Sequence, residues 1–176
     1  MFNNLARQGW SRFTLSSIVE ADVKEELLSM AYVLGTPVPI RRSQSLCDIL
    51  IPTMSNNARP RSLSREHSIG EFPLHNDLAH LTIPCRYIIL ACIAPGDGNR
   101  STIILDTKKV QFTKSQLPLL HKAIFRVING RQSFYSSILS SARPFVRFDL
   151  GCMAAISSDC ISAQEIFSRT NWPKYT

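Results

Sequence analysis

The chain has 176 residues, 44% of them hydrophobic and 9% aromatic, which supports one domain with a core of its own. Only 19% are charged, and Gly 7 and Pro 10 are modest numbers, which excludes disordered, coiled-coil, collagen-like and low-complexity chains. Lys and Arg number 20 against 13 acidic residues, a net charge of +7, a balance that suits either nucleic acid or anionic small molecules.

Met1 to Trp10 carries Asn, Arg and Gln where a secretory signal would be apolar. Ser17 to Leu34 predicts a helix, with Val23, Leu27, Met30 and Leu34 on one face and Lys24, Glu25 and Glu26 opposite. Gly35 and Pro37 stop it. Leu46 to Ile51 reads as a short β-type run, and the polar Ser55 to Gly70 as a long loop. Arg41, Arg42, Arg59, Arg61 and Arg65 make a basic stretch with few aromatics. Nucleic-acid binding calls for such charge interleaved with stacking rings, so a solvated loop is the better reading and nucleic acid is disfavoured.

Arg86 to Ile93 and Ser101 to Leu105 are β-branched apolar runs joined by Ala-Pro-Gly-Asp-Gly-Asn, and they read as two strands and a turn. The longest apolar run, Tyr87 to Ala94, is far short of the ~20 residues a membrane-spanning helix needs. Thr113 to Ile128 predicts a second helix, with Leu120, Ala123, Ile124 and Val127 on one face and Gly130 just beyond its end. Arg143 to Leu150 alternates as a strand, Phe145, Arg147 and Asp149 on one side and Val146, Phe148 and Leu150 on the other. The C-terminal residues carry little pattern. Helices beside several short strands predict a β-sandwich or jelly roll with helical decoration, one domain over residues 1–176. Cys47, Cys85, Cys92, Cys152 and Cys160 are odd in number and lack C-x-x-C spacing. They read as small buried hydrophobes in a reducing cytoplasm.

Phe72-Pro73-Leu74-His75-Asn76-Asp77 contains an H-x-D pair. On an extended segment residues i and i+2 project to one face, so an imidazole and a carboxylate can converge on a metal. This is two-thirds of the 2-His-1-carboxylate triad of non-haem Fe(II) enzymes. With 4 His and 13 acidic residues in 176 positions, about 0.3 H-x-D pairs arise by chance, so the pair alone is weak.

The wider context is more specific. Ser64 through Gly70 to His75, Asp77-Leu-Ala-His80, Pro84-Cys-Arg86-Tyr87, Leu90-Ala-Cys92, the turn Pro95-Gly96-Asp97-Gly98 and the run Thr102-Ile103-Ile104-Leu105-Asp106 follow in order. Asn129-Gly130-Arg131-Gln-Ser-Phe134-Tyr135 and Pro144-Phe145-Val146-Arg147-Phe148-Asp149-Leu150-Gly151-Cys152-Met153 come after them. From about Leu34 to Met153 the chain resembles the Fe(II)/2-oxoglutarate-dependent dioxygenases of the taurine dioxygenase and clavaminate synthase-like superfamily. The resemblance implies an α+β or mainly β fold, a partial double-stranded β-helix (jelly roll) with flanking helices. It also implies a hydroxylase-type reaction that uses Fe(II), 2-oxoglutarate and O2 on a small molecule such as an amino-acid derivative.

Residue by residue, the resemblance makes His75 and Asp77 the first two iron ligands and Thr102 a binder of the 2-oxoglutarate carboxylate. Asn76 stands where the family commonly has Thr, a position expected to tolerate the change. Asp77 disfavours the halogenase variant, which lacks the carboxylate. Asp149 matches a substrate-side position, while as a residue it reads better as a solvent-facing or turn carboxylate.

The family also has a second iron histidine and, about ten residues later, an arginine for 2-oxoglutarate. No histidine follows His121 in this chain. His67 and His80 lie too close to His75 to come from a returning strand, and His121 sits beside Lys122 on a predicted helix; all three read as surface or structural. The expectation is a C-terminally shortened dioxygenase lacking the usual last strands, with a sheet edge that an oligomeric partner would cover. The alternative is an inactive remnant or binding module of the same fold.

Overall fold

The computed structural model describes residues 2–39, 45–60, 62–96, 101–140, 145–170 and 174–175. Among these the helices are α1 (Phe2–Gln8), α2 (Glu20–Leu34), α3 (Leu63–His67), α4 (Gln116–Lys122) and α5 (Ser158–Arg169). The strands are β1 (Ile104–Leu105), β2 (Phe125–Asn129), β3 (Gln132–Ser136), β4 (Met153–Ala154) and β5 (Lys174–Tyr175). The chain divides into two compact units: Met1–Ile49 with Arg86–Asp106 and Lys174–Thr176, and Leu50–Cys85 with Thr107–Pro173.

The first unit holds α1, α2 and the antiparallel pair β1–β5, in register Ile104↔Tyr175. Helix α2 starts at Glu20, three residues later than its pattern predicts, because the preceding serines are engaged otherwise. Ser17 Oγ donates to Asp22 Oδ2 (2.8 Å) and accepts from Val19 N (3.0 Å). Ser16 donates its amide and its hydroxyl to Glu26 Oε2. Along the helix Lys24 pairs with Glu20 at 2.6 Å, the favourable i, i+4 spacing. Val23 is buried, and Gly35 N closes the last turn on Ala31 O.

In the same unit the predicted strand Arg86 to Ile93 takes no place in any ladder among the described residues. Tyr87, Ile88, Leu90 and Ile93 are exposed. Apolar composition gives a segment β propensity, but a strand exists only where a neighbour pairs with its backbone. The predicted strand Ser101 to Leu105 contracts to β1 for the same reason. The turn around Asp97-Gly98 and the basic residues Arg41, Arg42 and Arg61 lie outside the described residues.

The second unit is built on an antiparallel sheet in the order β3-β2-β4. Residues 113–128, predicted as one helix, form α4 and then β2. The apolar positions 120, 123 and 127 fit a helical stripe, but 123, 125 and 127 equally fit a strand. The chain leaves the helix at Ala123 and turns Phe125 and Val127 inward while Arg126 stays exposed. Gly130, expected to end a helix, instead sits in the two-residue β2–β3 turn with φ 61°, a left-handed conformation that glycine adopts without a Cβ penalty.

Helix α5 has no counterpart in the sequence reading. Its N-cap is Ser157, whose Oγ accepts from Cys160 N (3.4 Å). Cys160, Ala163 and Phe167, spaced by three and four, face inward. They close a core of Leu120, Ala123, Phe125, Val127, Ile138, Phe148 and Met153. Phe148 and Phe167 meet with ring centroids 4.4 Å apart.

The expected loop Ser55 to Gly70 contains a 3-10 turn, Ser55–Asn57, and α3. Ser62 caps α3 by accepting from Arg65 N, and the Arg65 guanidinium reaches back to Ser55 O at 2.7 Å. Of the predicted strand Arg143 to Leu150, residues 143 and 144 lie outside the described ones. The rest forms no strand, and its one β-bridge among the described residues is Leu139↔Val146. Helices beside a small antiparallel sheet make up the described architecture; the jelly roll remains what the resemblance implies.

Candidate functional site

His75 lies at the end of an irregular extended segment, 71–76, that runs into a turn over 77–80. Among the described residues no β-ladder holds this segment, yet the i, i+2 geometry places the two side chains together. His75 Nε2 stands 3.6 Å from Asp77 Oδ1. His75 Nδ1 is 2.8 Å from Pro73 O, so in the neutral ring Nδ1–H donates to that carbonyl and Nε2 carries the lone pair. This arrangement, an imidazole oriented by a backbone carbonyl through one nitrogen with the other free to coordinate, is typical of metal-ligating histidines. The His75 pKa is raised above 6.5, first by its polar contact with Asp77; the Pro73 carbonyl and the negative charges of Asp77 and Asp149 add to this, and burial opposes it.

Asp149, on the chain leaving the buried Phe148, is half-buried. Its Oδ1 accepts from Gly151 N at 2.8 Å, and its carbonyl accepts from Cys152 N (3.2 Å) and Met153 N (2.9 Å). It is therefore a turn carboxylate that also contributes negative potential at His75. Burial pushes the Cys152 thiol up to about 12, reinforced by the charge of Asp149 and a hydrogen bond to it, and partly offset by Arg147.

Two residues to which the sequence assigned no structural role, Asn76 and Arg147, hold this region in place. Asn76 N donates to Phe148 O (2.7 Å), and Phe148 N donates to Asn76 Oδ1 (2.8 Å). Arg147 is 1% exposed. Its guanidinium donates to the carbonyls of Ala79, Leu81 (2.6 Å) and Thr82 (3.0 Å), and its Nε to Ser136 Oγ (3.2 Å). The rings of Phe134 and Phe145 flank it at 4.9 and 5.2 Å. The turn it grips contains Leu78 at φ 57°, a left-handed conformation costly for a branched side chain. A lone arginine inside an alternating apolar run was the available signal for Arg147.

Thr102 is exposed, precedes β1 and belongs to the first unit, whereas His75, Asp77 and Asp149 belong to the second. His67 lies 3.9 Å from Glu66 and beside Phe72, and His121 is exposed on α4. Surface depressions of about 310 and 230 Å³ are lined by Gln116, Ser162 and Arg169, among others, and by Arg126, Arg131 and Gln132. Neither includes His75, Asp77 or Asp149. No helix among the described residues is long and apolar enough to cross a membrane.

Compared with protein-family models, with curated proteins and with solved structures, the chain finds no match in any of the three. The fit of an iron centre thus turns on the donors alone. His75 and Asp77 suit Fe(II) in type and direction, but among the described residues no three His, Cys, Asp or Glu side chains gather to hold a metal ion. All four histidines are among those residues. The donor set is that of a half-site and does not fit a closed Fe(II) centre.

Proposed function

We propose that this chain is a protein of the Fe(II)/2-oxoglutarate dioxygenase type, of jelly-roll descent, that presents two of the three ligands of an iron centre. The observation that carries the reading is the convergence of His75 Nε2 and Asp77 Oδ1 at 3.6 Å, with His75 Nδ1 committed to Pro73 O. The roles of Thr102 toward 2-oxoglutarate and of Asp149 toward a small-molecule substrate rest on the resemblance alone. With two protein donors a divalent metal binds weakly. Outer-shell losses alone cost ~10–100-fold in affinity, and a missing ligand costs at least as much. The chain by itself therefore does not turn over, the behaviour of an inactive remnant or binding module.

The test is anaerobic titration of the chain and of His75→Ala with Fe(II), followed by 2-oxoglutarate, O2 and a succinate assay. The expected result is weak binding that His75→Ala abolishes, and no succinate. Binding that ignores His75→Ala removes the half-site. Tight binding with 2-oxoglutarate-dependent succinate shows a third donor and overturns the incompleteness.

A further inference from the structure

We propose that the outer face of the β2–β3 hairpin binds a small phosphate monoester that carries a flat ring, a mononucleotide being the simplest case. The depression of about 230 Å³ on this hairpin is lined by Arg126, Ile128, Gly130, Arg131, Gln132 and Ser133. It lies within the second unit and shares no residue with the His75–Asp77 pair, so it stands whether or not that pair holds a metal.

Strand alternation assembles the site. Phe125 and Val127 are buried beneath β2, which turns Arg126 and Ile128 to the opposite face. The register sets Tyr135 opposite Arg126 and Ser133 opposite Ile128, and residues directly opposite across an antiparallel pair share a face. The Gly130-Arg131 turn brings a second guanidinium to the same depression. Strand β2 is paired with β3 on one side and β4 on the other. The backbone that carries Arg126 is therefore fixed before a ligand arrives, which lowers the ordering cost of binding.

The chemistry of the lining selects the ligand. Neither Arg126 nor Arg131 has an ion-pair partner among the described residues, and no acidic residue among them lines the depression. Like charges facing one small depression repel, and an anion between them removes that cost. Two permanent positive charges match a dianion, and the Gln132 amide and Ser133 hydroxyl add neutral donors. A phosphate group presents three acceptor oxygens to these donors and suits the guanidinium fork, whereas a carboxylate presents two. The depression is smaller than the ~300–1,000 Å³ of pockets that enclose a whole ligand. It therefore takes the anionic head, and the rest of the ligand lies outside it. Beside Arg126 that remainder meets Tyr135, 66% exposed, whose ring offers a stacking surface for a flat group.

The test is an NMR titration of the full chain at low ionic strength with AMP, inorganic phosphate, adenosine and 2-oxoglutarate, read at the backbone amides. AMP is expected to shift the amides of residues 126–135 saturably, inorganic phosphate more weakly, and adenosine hardly at all. Arg126→Gln and Arg131→Gln should each weaken AMP about 10-fold, the size of one charge-assisted hydrogen bond. Arg7→Gln, which removes the same charge from α1, should leave the affinity unchanged. Tyr135→Ser should bring AMP down to the level of inorganic phosphate without altering phosphate binding. These positions are exposed, and unchanged amide shifts away from the hairpin show that each variant is folded. If Arg126→Gln does not fold, Arg131→Gln in the turn decides the matter.

An absence of hairpin shifts with every probe overturns the proposal. So does an equal loss in Arg7→Gln, or shifts scattered over the chain, because the protein then attracts anions only through its net charge. Binding of 2-oxoglutarate as tight as that of AMP overturns the phosphate assignment, and inorganic phosphate as tight as AMP overturns the ring-bearing ester. A single-stranded oligoadenylate that binds more tightly than AMP, with a salt dependence of several phosphates, overturns the small ligand in favour of a nucleic-acid strand.

Discussion

His75 Nε2 and Asp77 Oδ1 stand 3.6 Å apart, a contact that becomes a charge pair when the imidazole is protonated. The nitrogen that would coordinate a metal is therefore also the one that takes up the second proton when the ring becomes charged. The pKa of His75 is raised above 6.5, Asp77 being the first cause. A group whose folded pKa exceeds its unfolded value contributes stability fully present below about 6.5 and lost as pH rises through the folded pKa. Metal competes with that proton, so Co(II) or Fe(II) affinity is expected to rise across the same window. An NMR titration of His75 should give a midpoint above 6.5, and Asp77→Asn should lower it. A midpoint unchanged in Asp77→Asn would show that the pair does not interact in solution.

Arg147 carries a second expectation, about stability. It satisfies three backbone carbonyls and Ser136 Oγ from a buried position. Arg147→Met keeps much of the apolar stem but leaves those acceptors without their donor, each worth ~1–3 kcal/mol when buried and unsatisfied. A loss of about 3 kcal/mol or more is expected in urea denaturation. Arg147→Lys should rescue only part of it, because an ammonium lacks the planar fork that reaches several carbonyls at once.

How far the sequence could be read depends on how local each determinant is. Helix α2 was legible, since its apolar period and the Gly35 stop lie within the segment itself. The break between α4 and β2 was not, because Leu120, Ala123 and Val127 satisfy a helical period up to the point where Phe125 and Val127 satisfy a strand period. Helix α5 escaped notice because its inner stripe is Cys160, Ala163 and Phe167, two small residues and one large one, too faint to stand out. Arg86 to Ile93 has the composition of a strand, but pairing is decided elsewhere in the chain. In the candidate site, His75 and Asp77 are two residues apart and could be paired on paper. Asn76 and Arg147 could not, because their hydrogen-bond partners lie 72 and 66 residues away.

Cys152 is expected to be chemically quiet although it sits near the candidate site. Its thiol is pushed up to about 12, chiefly by burial and then by Asp149. The thiolate is the reactive form, so alkylation by iodoacetamide near neutral pH should reach the exposed Cys92 well before Cys152. Asp149→Asn removes a negative charge and should lower the Cys152 pKa, though not to the ordinary value, because burial remains. Mass spectrometry of a timed labelling reaction reads both rates. Labelling of Cys152 as fast as Cys92 would contradict its burial.

Phe167 ties the core to the loop that bears His75. It is 4% exposed, packs on Phe148 at 4.4 Å and stacks on Phe112 at 6.3 Å. Phe167→Ala should cost ~3–5 kcal/mol, the range for emptying a buried aromatic site, seen as a lower denaturation midpoint with an unchanged slope. Ile161→Ala on the same helix, at a position 54% exposed, should stay within about 0.5 kcal/mol. Phe148 is also the residue whose amide and carbonyl hold Asn76. A cavity under its ring lets that backbone shift, so in the fraction that remains folded, Phe167→Ala is expected to weaken His75-dependent Co(II) binding. Ile161→Ala should leave it unchanged. If Phe167→Ala destabilises the chain yet leaves metal affinity intact in the folded fraction, the Phe148 backbone is held by its hydrogen bonds alone, and the core does not transmit to the site.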